Sequence, residues 1–466
     1  MVDTIDRTLL RRIWNLTWPL VVYNVLEMSV GMADFLMVRP LGPAATAAMG
    51  VSRQVTFLVE GAAIAISTGV ITLVSQSVGA GRHEQLNEIV RQSFRLVLLL
   101  GVPATVVGIF LAEPLVAALH ASDQTLAQGI PYLQIYFAGL VFLWGNFVGT
   151  AIFRGAGDVW TPLKLALGVN LLNVALNYGF IYGVGPWPPA GVAGAAMGTI
   201  VARGCGALAC AAILWRGTRQ LKSVRFTQGT AGRRLLNWNW NWMRRILLIG
   251  VPMALAGLLR NGSRLVFLAI IGAGAAGVSF HAAVGVGLQL RLLGILPALA
   301  FQTATASLVG QAIGRGDLEE AAVLGRRSVL LLAVMMAPVA ALVIALAEPL
   351  AALFIASNET ARLASTVIRW FAVAQFFSAL SITAQGALIG AGDTAPAMRY
   401  SLISQWFTML PLAYLLLAVV GWVPHGPLAA WTIAPVISFI LTWRRLRSGR
   451  WRTMHAVPRS TTGTVA

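Results

Sequence analysis

Twelve apolar runs govern what this chain can fold into. They lie at about 13–38, 52–78, 92–112, 127–152, 160–184, 191–215, 246–271, 277–306, 326–347, 362–389, 397–420 and 427–443, and each is near the 20 residues that cross roughly 30 Å of hydrocarbon as a helix. In a bilayer every backbone amide must be paired within the protein. Runs of this length meet that demand as helices. Only 11% of the 466 residues are charged and 58% are hydrophobic, whereas soluble domains carry about a quarter charged. The expected fold is an all-α integral membrane protein with twelve transmembrane helices.

The net charge of +18 does not point to nucleic acid, because the basic residues sit in short clusters between the apolar runs. Loops on the side holding the N-terminus carry 26 Lys and Arg, and the opposite loops carry only Arg39, Arg53 and Arg362. Positive charge collects on the cytoplasmic side. The expectation is therefore a multi-pass protein of the inner (plasma) membrane with both termini cytoplasmic and the lipid bilayer as its surroundings. Cys205 and Cys210 share one run at a spacing that does not stack them on a helix face, so no disulfide framework or metal site is implied. No nucleophile and base pair stands out, and His281 is alone in span eight. An enzyme is not expected, and neither is a resident cofactor.

The chain also repeats itself. "TLVSQSVGAGRHEQ" (72–85) resembles "SLVGQAIGRGDLEE" (307–320), "LAEPL" (111–115) recurs at 346–350, and "RGAGDVWTP" (154–162) resembles "IGAGDTAP" (389–396). Each pair is offset by 235 residues. A constant offset marks a duplicated unit, here of six spans. Six is even, so both copies enter the membrane in the same direction as pseudo-symmetric lobes, an arrangement in which transporters rock one bundle against the other. The expected organisation is an N-lobe (1–215), a basic cytoplasmic linker (216–245), a C-lobe (246–445) and a cytoplasmic tail (446–466). Glu113 and Glu348 of the LAEPL motifs read as capping or pairing residues. Asp158 and Asp393 of the Gly-Ala-Gly-Asp turns read as N-caps of the next helix.

Of 16 acids, 13 lie in the tail, in loops or at span ends. Glu27, Asp34 and Glu60 are the exceptions, all in spans one and two. Glu27 and Asp34 are seven residues apart, which places them on one helical face. Burying an ionised side chain at mid-membrane costs about 2.5–3.5 kcal/mol even on the lenient insertion scale. A carboxylate there is ionised when paired and otherwise takes a proton. Alternating between the two is the minimum apparatus for proton coupling, with Glu60, nearer the boundary of its helix, secondary. Each acid also fits a buried polar bridge that only fixes helix packing. In "NLLNVALNYGF" (170–180), Asn170, Asn173 and Asn177 form a polar stripe able to hydrogen-bond the carboxylates or to act as interhelical glue. Met28, Met32, Phe35, Tyr136 and Phe153 fit an adaptable apolar cavity and equally fit core or lipid packing. Arg260 and Arg264 are unusual bases for a span: they pair with an acid, line a water-filled cavity or bind an anionic group.

"WPLVVYNVLEMSVGMADFLMVRPLG", "NLLNVALNYGFIYG", the Gly-Ala-Gly-Asp turns and the two LAEPL copies together resemble the multidrug and toxic compound extrusion (MATE) family, closer to its proton-coupled DinF-like branch, over residues 10–445. The resemblance implies a V-shaped pair of six-helix lobes that exports amphipathic, often cationic, small molecules in exchange for an ion, expected here as a monomer. It makes Asp34 the coupling aspartate. Asn173 and Asn177 fall where proton-linked members have an asparagine and an aspartate, and Glu27 falls where some have a glutamine, so the second acid has moved from span five to span one. In the sodium-linked branch an acid is expected eight residues after a proline in span seven and another in span ten. Here those positions are Arg260 and Ser378, which disfavours a sodium site in the second lobe. Three further readings stay open. A sodium-coupled exporter of the same fold would show transport that depends on sodium at fixed pH. A lipid-linked precursor flippase would use Arg203, Arg260 and Arg264, and a passive channel would not accumulate anything against a gradient.

Overall fold

The computed structural model describes residues 2–118, 122–185, 187–218, 221, 238–273, 277–355 and 357–453. Residues 219–220 and 222–237 of the linker and 454–466 of the tail lie outside the described residues. Among those described, regular structure is helical: α1 (Val2–Val38), α2 (Pro43–Gly79), α3 (His83–Ala117), α4 (Asp123–Ala138), α5 (Leu140–Gly155), α6 (Trp160–Tyr182), α7 (Gly191–Arg216), α8 (Trp240–Ala273), α9 (Gly277–Arg315), α10 (Leu318–Ala345), α11 (Ala347–Phe354), α12 (Asn358–Ala391), α13 (Ala395–Ser401), α14 (Leu410–Tyr414) and α15 (His425–Arg447). The last span before α15 reads α13, a π-helical stretch, α14 and a second π-helical stretch. Among the described residues, eleven spans are long and apolar enough to cross a membrane, and the pair α4 and α5, bent by 54°, supplies the twelfth.

That bend departs from the single straight span expected over 127–152. It falls at Gly139, where an added Cβ would sit 2.3 Å from the Ile200 side chain of α7. The turn thus brings α7 against a backbone position that has no room for a side chain. The second span also starts earlier than its hydropathy indicates. Pro43 opens α2 at a position whose missing N–H costs nothing, after Gly42 at φ 107°. Glu60 is consequently close to the middle of α2 rather than near its boundary, and Arg53 belongs to the helix instead of the loop.

The chain divides into two compact units, Val22–Val251 and Met1–Val21 with Pro252–Ala466. The boundaries are reciprocal: the first part of α1 belongs with the C-lobe and the first part of α8 with the N-lobe. In the first unit, added Cβ atoms at Gly69 and Gly250 would lie 2.2 Å from the Ile246 carbonyl and 1.8 Å from the Ala65 carbonyl, so α2 and the start of α8 meet backbone to backbone. In the second, Ile13 is fully buried in a core with Phe301, Leu324, Leu388 and Trp451.

Each unit carries one copy of the same scaffold, at the same offset of 235. Gly81 and Gly316 lie at φ 66° and 85°, and Gly157 and Gly392 at 83° and 82°. Glycine reaches this left-handed region without steric cost. Each closes a helix with the 6→1 bond of a Schellman cap: Arg82 N–H to Ser77 and Asp317 N–H to Ala312, both 3.0 Å, then Asp158 N–H to Phe153 and Asp393 N–H to Leu388, both 2.9 Å. Interhelical contacts repeat as well. An added Cβ on Gly155 would be 2.9 Å from the Ile71 carbonyl, and on Gly390 2.4 Å from the Ala306 carbonyl.

Candidate functional site

All three intramembrane acids fall within the unit Val22–Val251, and each has a different partner. Asp34 on α1 accepts a 2.6 Å hydrogen bond from Asn177 Nδ2 on α6. That amide also reaches Asn173 Oδ1 at 3.3 Å, and Asn173 donates to Thr199 Oγ1 of α7 at 3.1 Å. Asn177 is fully buried, and an added Cβ on Gly198 would fall 2.0 Å from its Oδ1. A larger residue on α7 would thus displace the group that holds Asp34. Asn170, the third member of the stripe, donates to the Leu26 carbonyl at 3.0 Å, joining α6 to α1 through backbone.

Glu27 does not use the asparagines. Arg203 of α7 grips it in a bidentate pair, NH1 to Oε1 at 3.1 Å and NH2 to Oε2 at 2.8 Å, with the guanidinium 5.8 Å from the centre of the Phe147 ring. A planar fork matched to both carboxylate oxygens is a stronger partner than a neutral amide, which explains the departure from the sequence expectation. Glu60 Oε1 accepts from Tyr136 OH at 2.8 Å. Tyr136, expected as a cavity residue, therefore spends its hydroxyl on α2. Phe153 is fully buried and has no surface to offer a ligand, which makes it core. Met32 and Phe35 are exposed and Met28 is half-buried. Arg53 reaches the Gly31 carbonyl at 3.4 Å, linking α2 to α1 one turn before Asp34.

Among the described residues, the charged side chains inside the spans of the other unit are bases. Arg260 donates to Ser401 Oγ at 3.3 Å, and Arg291 on α9 donates through Nε to Gln375 Oε1 at 3.2 Å and lies 5.6 Å from the centre of the Trp431 ring. Arg291 escaped attention in the sequence although it interrupts "GLQLRLLGILP". Five acids of this unit are engaged at helix ends: Asp317 caps α10, Glu319 pairs with Arg452, Glu320 with Arg12 and Arg315, Glu348 with Arg369, and Asp393 with Arg445. Asp393 is thus an ion-pair residue, while its counterpart Asp158 accepts from both the backbone and the hydroxyl of Thr161, at 3.0 and 2.7 Å, as an N-cap does.

The MatE family model matches the chain twice, over residues 19–179 and 252–415. The chain belongs to the MatE family, the multidrug and toxic compound extrusion transporters. Among relatives of this MatE protein, the probable multidrug resistance protein NorM of Thermotoga maritima is 28% identical over 442 residues, 94% of this chain and 92% of that one. The multidrug resistance protein PmpM of Pseudomonas aeruginosa is 25% identical over 91% of this chain and 88% of its own. The fold is that of a crystallised outward-facing MATE transporter, TM-score 0.82 at 22% identity, covering 95% of this chain and 98% of that one.

Within this MatE protein the N-lobe arrangement distinguishes three chemical states. Glu27 with Arg203 is a neutral pair, Glu60 is a carboxyl held by a phenol, and Asp34 is a carboxylate whose direct partner is a neutral amide. Asp34 and Glu60 thus each have a neutral hydrogen-bond partner, and Glu27 is the one of the three bonded to a cation.

Proposed function

We propose that this protein is a proton-coupled antiporter of the inner membrane, exporting amphipathic, often cationic, compounds by alternating access as a monomer with both termini cytoplasmic. The observation that carries this reading is the Asn177 to Asp34 hydrogen bond, 2.6 Å, inside a span and without a cation in direct contact. With Asp34 ionised, Asn177 solvates one carboxylate oxygen and the net negative charge attracts a cationic substrate. Taking up a proton removes that charge and weakens a charge-assisted hydrogen bond, so the substrate is released as the proton enters. Return of the proton on the cytoplasmic side resets the site without covalent chemistry. Glu27 is bound to Arg203 and sets α1 against α7; its own proton would require breaking that pair. The names of NorM and PmpM as multidrug resistance proteins support a drug-like cargo.

The test is efflux of rhodamine 6G from proteoliposomes under an imposed pH gradient, with and without sodium, for the native chain and Asp34→Asn. Gradient-driven efflux that needs no sodium and is lost in the variant is expected. Efflux that requires sodium at fixed pH and survives Asp34→Asn would overturn the proposal.

A further inference from the structure

We infer that Arg260, Arg264 and Arg291 form an anion-binding site inside the C-lobe, suited to the phosphate or carboxylate of an amphipathic molecule. Arg260 and Arg264 are four residues apart on α8, hence on one face, and the Trp431 ring joins that helix to Arg291 of α9: it lies 5.6 Å from the Arg291 guanidinium and 4.7 Å from the ring of Phe267, one turn beyond Arg264. A guanidinium stays charged inside a protein and carries five N–H donors. Protein acceptors take one donor of Arg260 and one of Arg291, and both acceptors are neutral. Arg264 has no hydrogen bond to the protein among the described residues. No acid occurs anywhere between Asp158 and Asp317, and the paired acids of the unit are engaged elsewhere.

One more group lacks a partner at the same place. Gln375 is nine-tenths buried, its orientation is fixed by the bond from Arg291, and its Nε2 has no acceptor. An oxyanion beside Arg291 would accept from that amide and from the unused guanidinium donors together. All three arginines are partly exposed, so the cluster is open to a ligand. Like charges held together without a counter-charge need an anion to balance them, and a site between membrane-spanning helices is reached by molecules with an apolar body. Such chemistry belongs either to an anionic lipid headgroup or to a soluble amphipathic anion.

The experiment uses the full chain in phosphatidylcholine nanodiscs with fluorescein as the anionic probe, read by fluorescence anisotropy. Saturable binding is expected, weakened about tenfold or more in Arg260→Gln/Arg264→Gln and in Arg291→Gln, as loss of charge-assisted hydrogen bonds demands, and largely kept in Arg291→Lys. Replacing part of the lipid with phosphatidylglycerol identifies the source: displacement of fluorescein assigns the site to a lipid headgroup, and unchanged binding assigns it to a soluble anion. Fluorescein and phosphatidylglycerol affinities that are equal in native and glutamine variants would overturn the inference. Rhodamine 6G binding keeps the two proposals apart. It should persist in the arginine variants, which also shows that they fold, and fail in Asp34→Asn.

Discussion

Arg203→Gln tests the assignment of the Glu27 pair most directly. The native pair is bidentate, and its side chains are 11% and 20% exposed, so little solvent screens it. Removing one partner of a fully buried pair costs about 3–5 kcal/mol, because the other charge is stranded. The residual exposure and the ability of Glu27 to take a proton lower this to about 2–4 kcal/mol for the variant. The unit Val22–Val251 is of a size for which each kcal/mol moves the midpoint by roughly 2–4 °C, so scanning fluorimetry in neutral detergent should show a fall of roughly 4–16 °C. Glu27→Gln alone should also destabilise, by stranding Arg203. The double variant Glu27→Gln/Arg203→Gln should recover to within about 1 kcal/mol of the native protein, since two amides bond to each other without a buried charge. A single variant that melts with the native protein, or a double variant whose loss is the sum of the two singles, would refute the pairing.

Other substitutions follow from single distances. Gly250→Leu places a side chain against the Ala65 carbonyl, where even a Cβ would be 1.8 Å away, and should abolish the monodisperse peak in size-exclusion chromatography. Gly168→Ala, with open space around its Cβ, should raise thermal stability by up to about 1 kcal/mol. Tyr136→Phe removes the partner of Glu60 and should lower stability by about 1–3 kcal/mol, read in the same thermal assay. Asp393→Ala strands Arg445, whose partner is 4% exposed, and should cost about 2–4 kcal/mol, more than the roughly 1 kcal/mol expected for losing the cap in Asp158→Ala.

The helical architecture was legible because hydropathy and glycine chemistry are local. Twenty apolar residues announce a span wherever they pack, and a helix that must end at Gly81 or Gly316 needs a left-handed residue in both copies. Interactions between distant segments were not legible. Gly139 looks like any other of the 47 glycines until Ile200 of α7 is found against it. The partner of Glu27 lies 176 residues away, and the asparagine stripe of α6 offered a plausible alternative that geometry did not use. Arg53 sat next to a charge-poor loop and was counted there, because an alanine-rich helix start carries a weaker hydropathic signal than the span that follows. Arg291 was hidden differently, since it stands as a single base in its span with no second charge at helical spacing, unlike Arg260 and Arg264.

The duplicated scaffold and its polar contents have diverged in opposite senses. The two family matches begin at Pro19 and Pro252, and eight residues beyond each proline the copies carry Glu27 and Arg260. The span that opens each lobe thus bears opposite charges at the same distance from its proline. In the first lobe the acid meets Arg203 and the pair is electrically neutral, which leaves Asp34 and Glu60 as the acids there whose direct partners are uncharged. In the second lobe the base meets Ser401, its neighbours Arg264 and Arg291 add two more charges, and nothing on those helices cancels them. Turns and interhelical glycine contacts hold their places at an offset of 235 because backbone geometry punishes any change there. Charges inside the spans are punished unless they are balanced, and the two lobes meet that demand differently: the first pairs its acid with Arg203, and the second sets its bases against neutral Ser401 and Gln375.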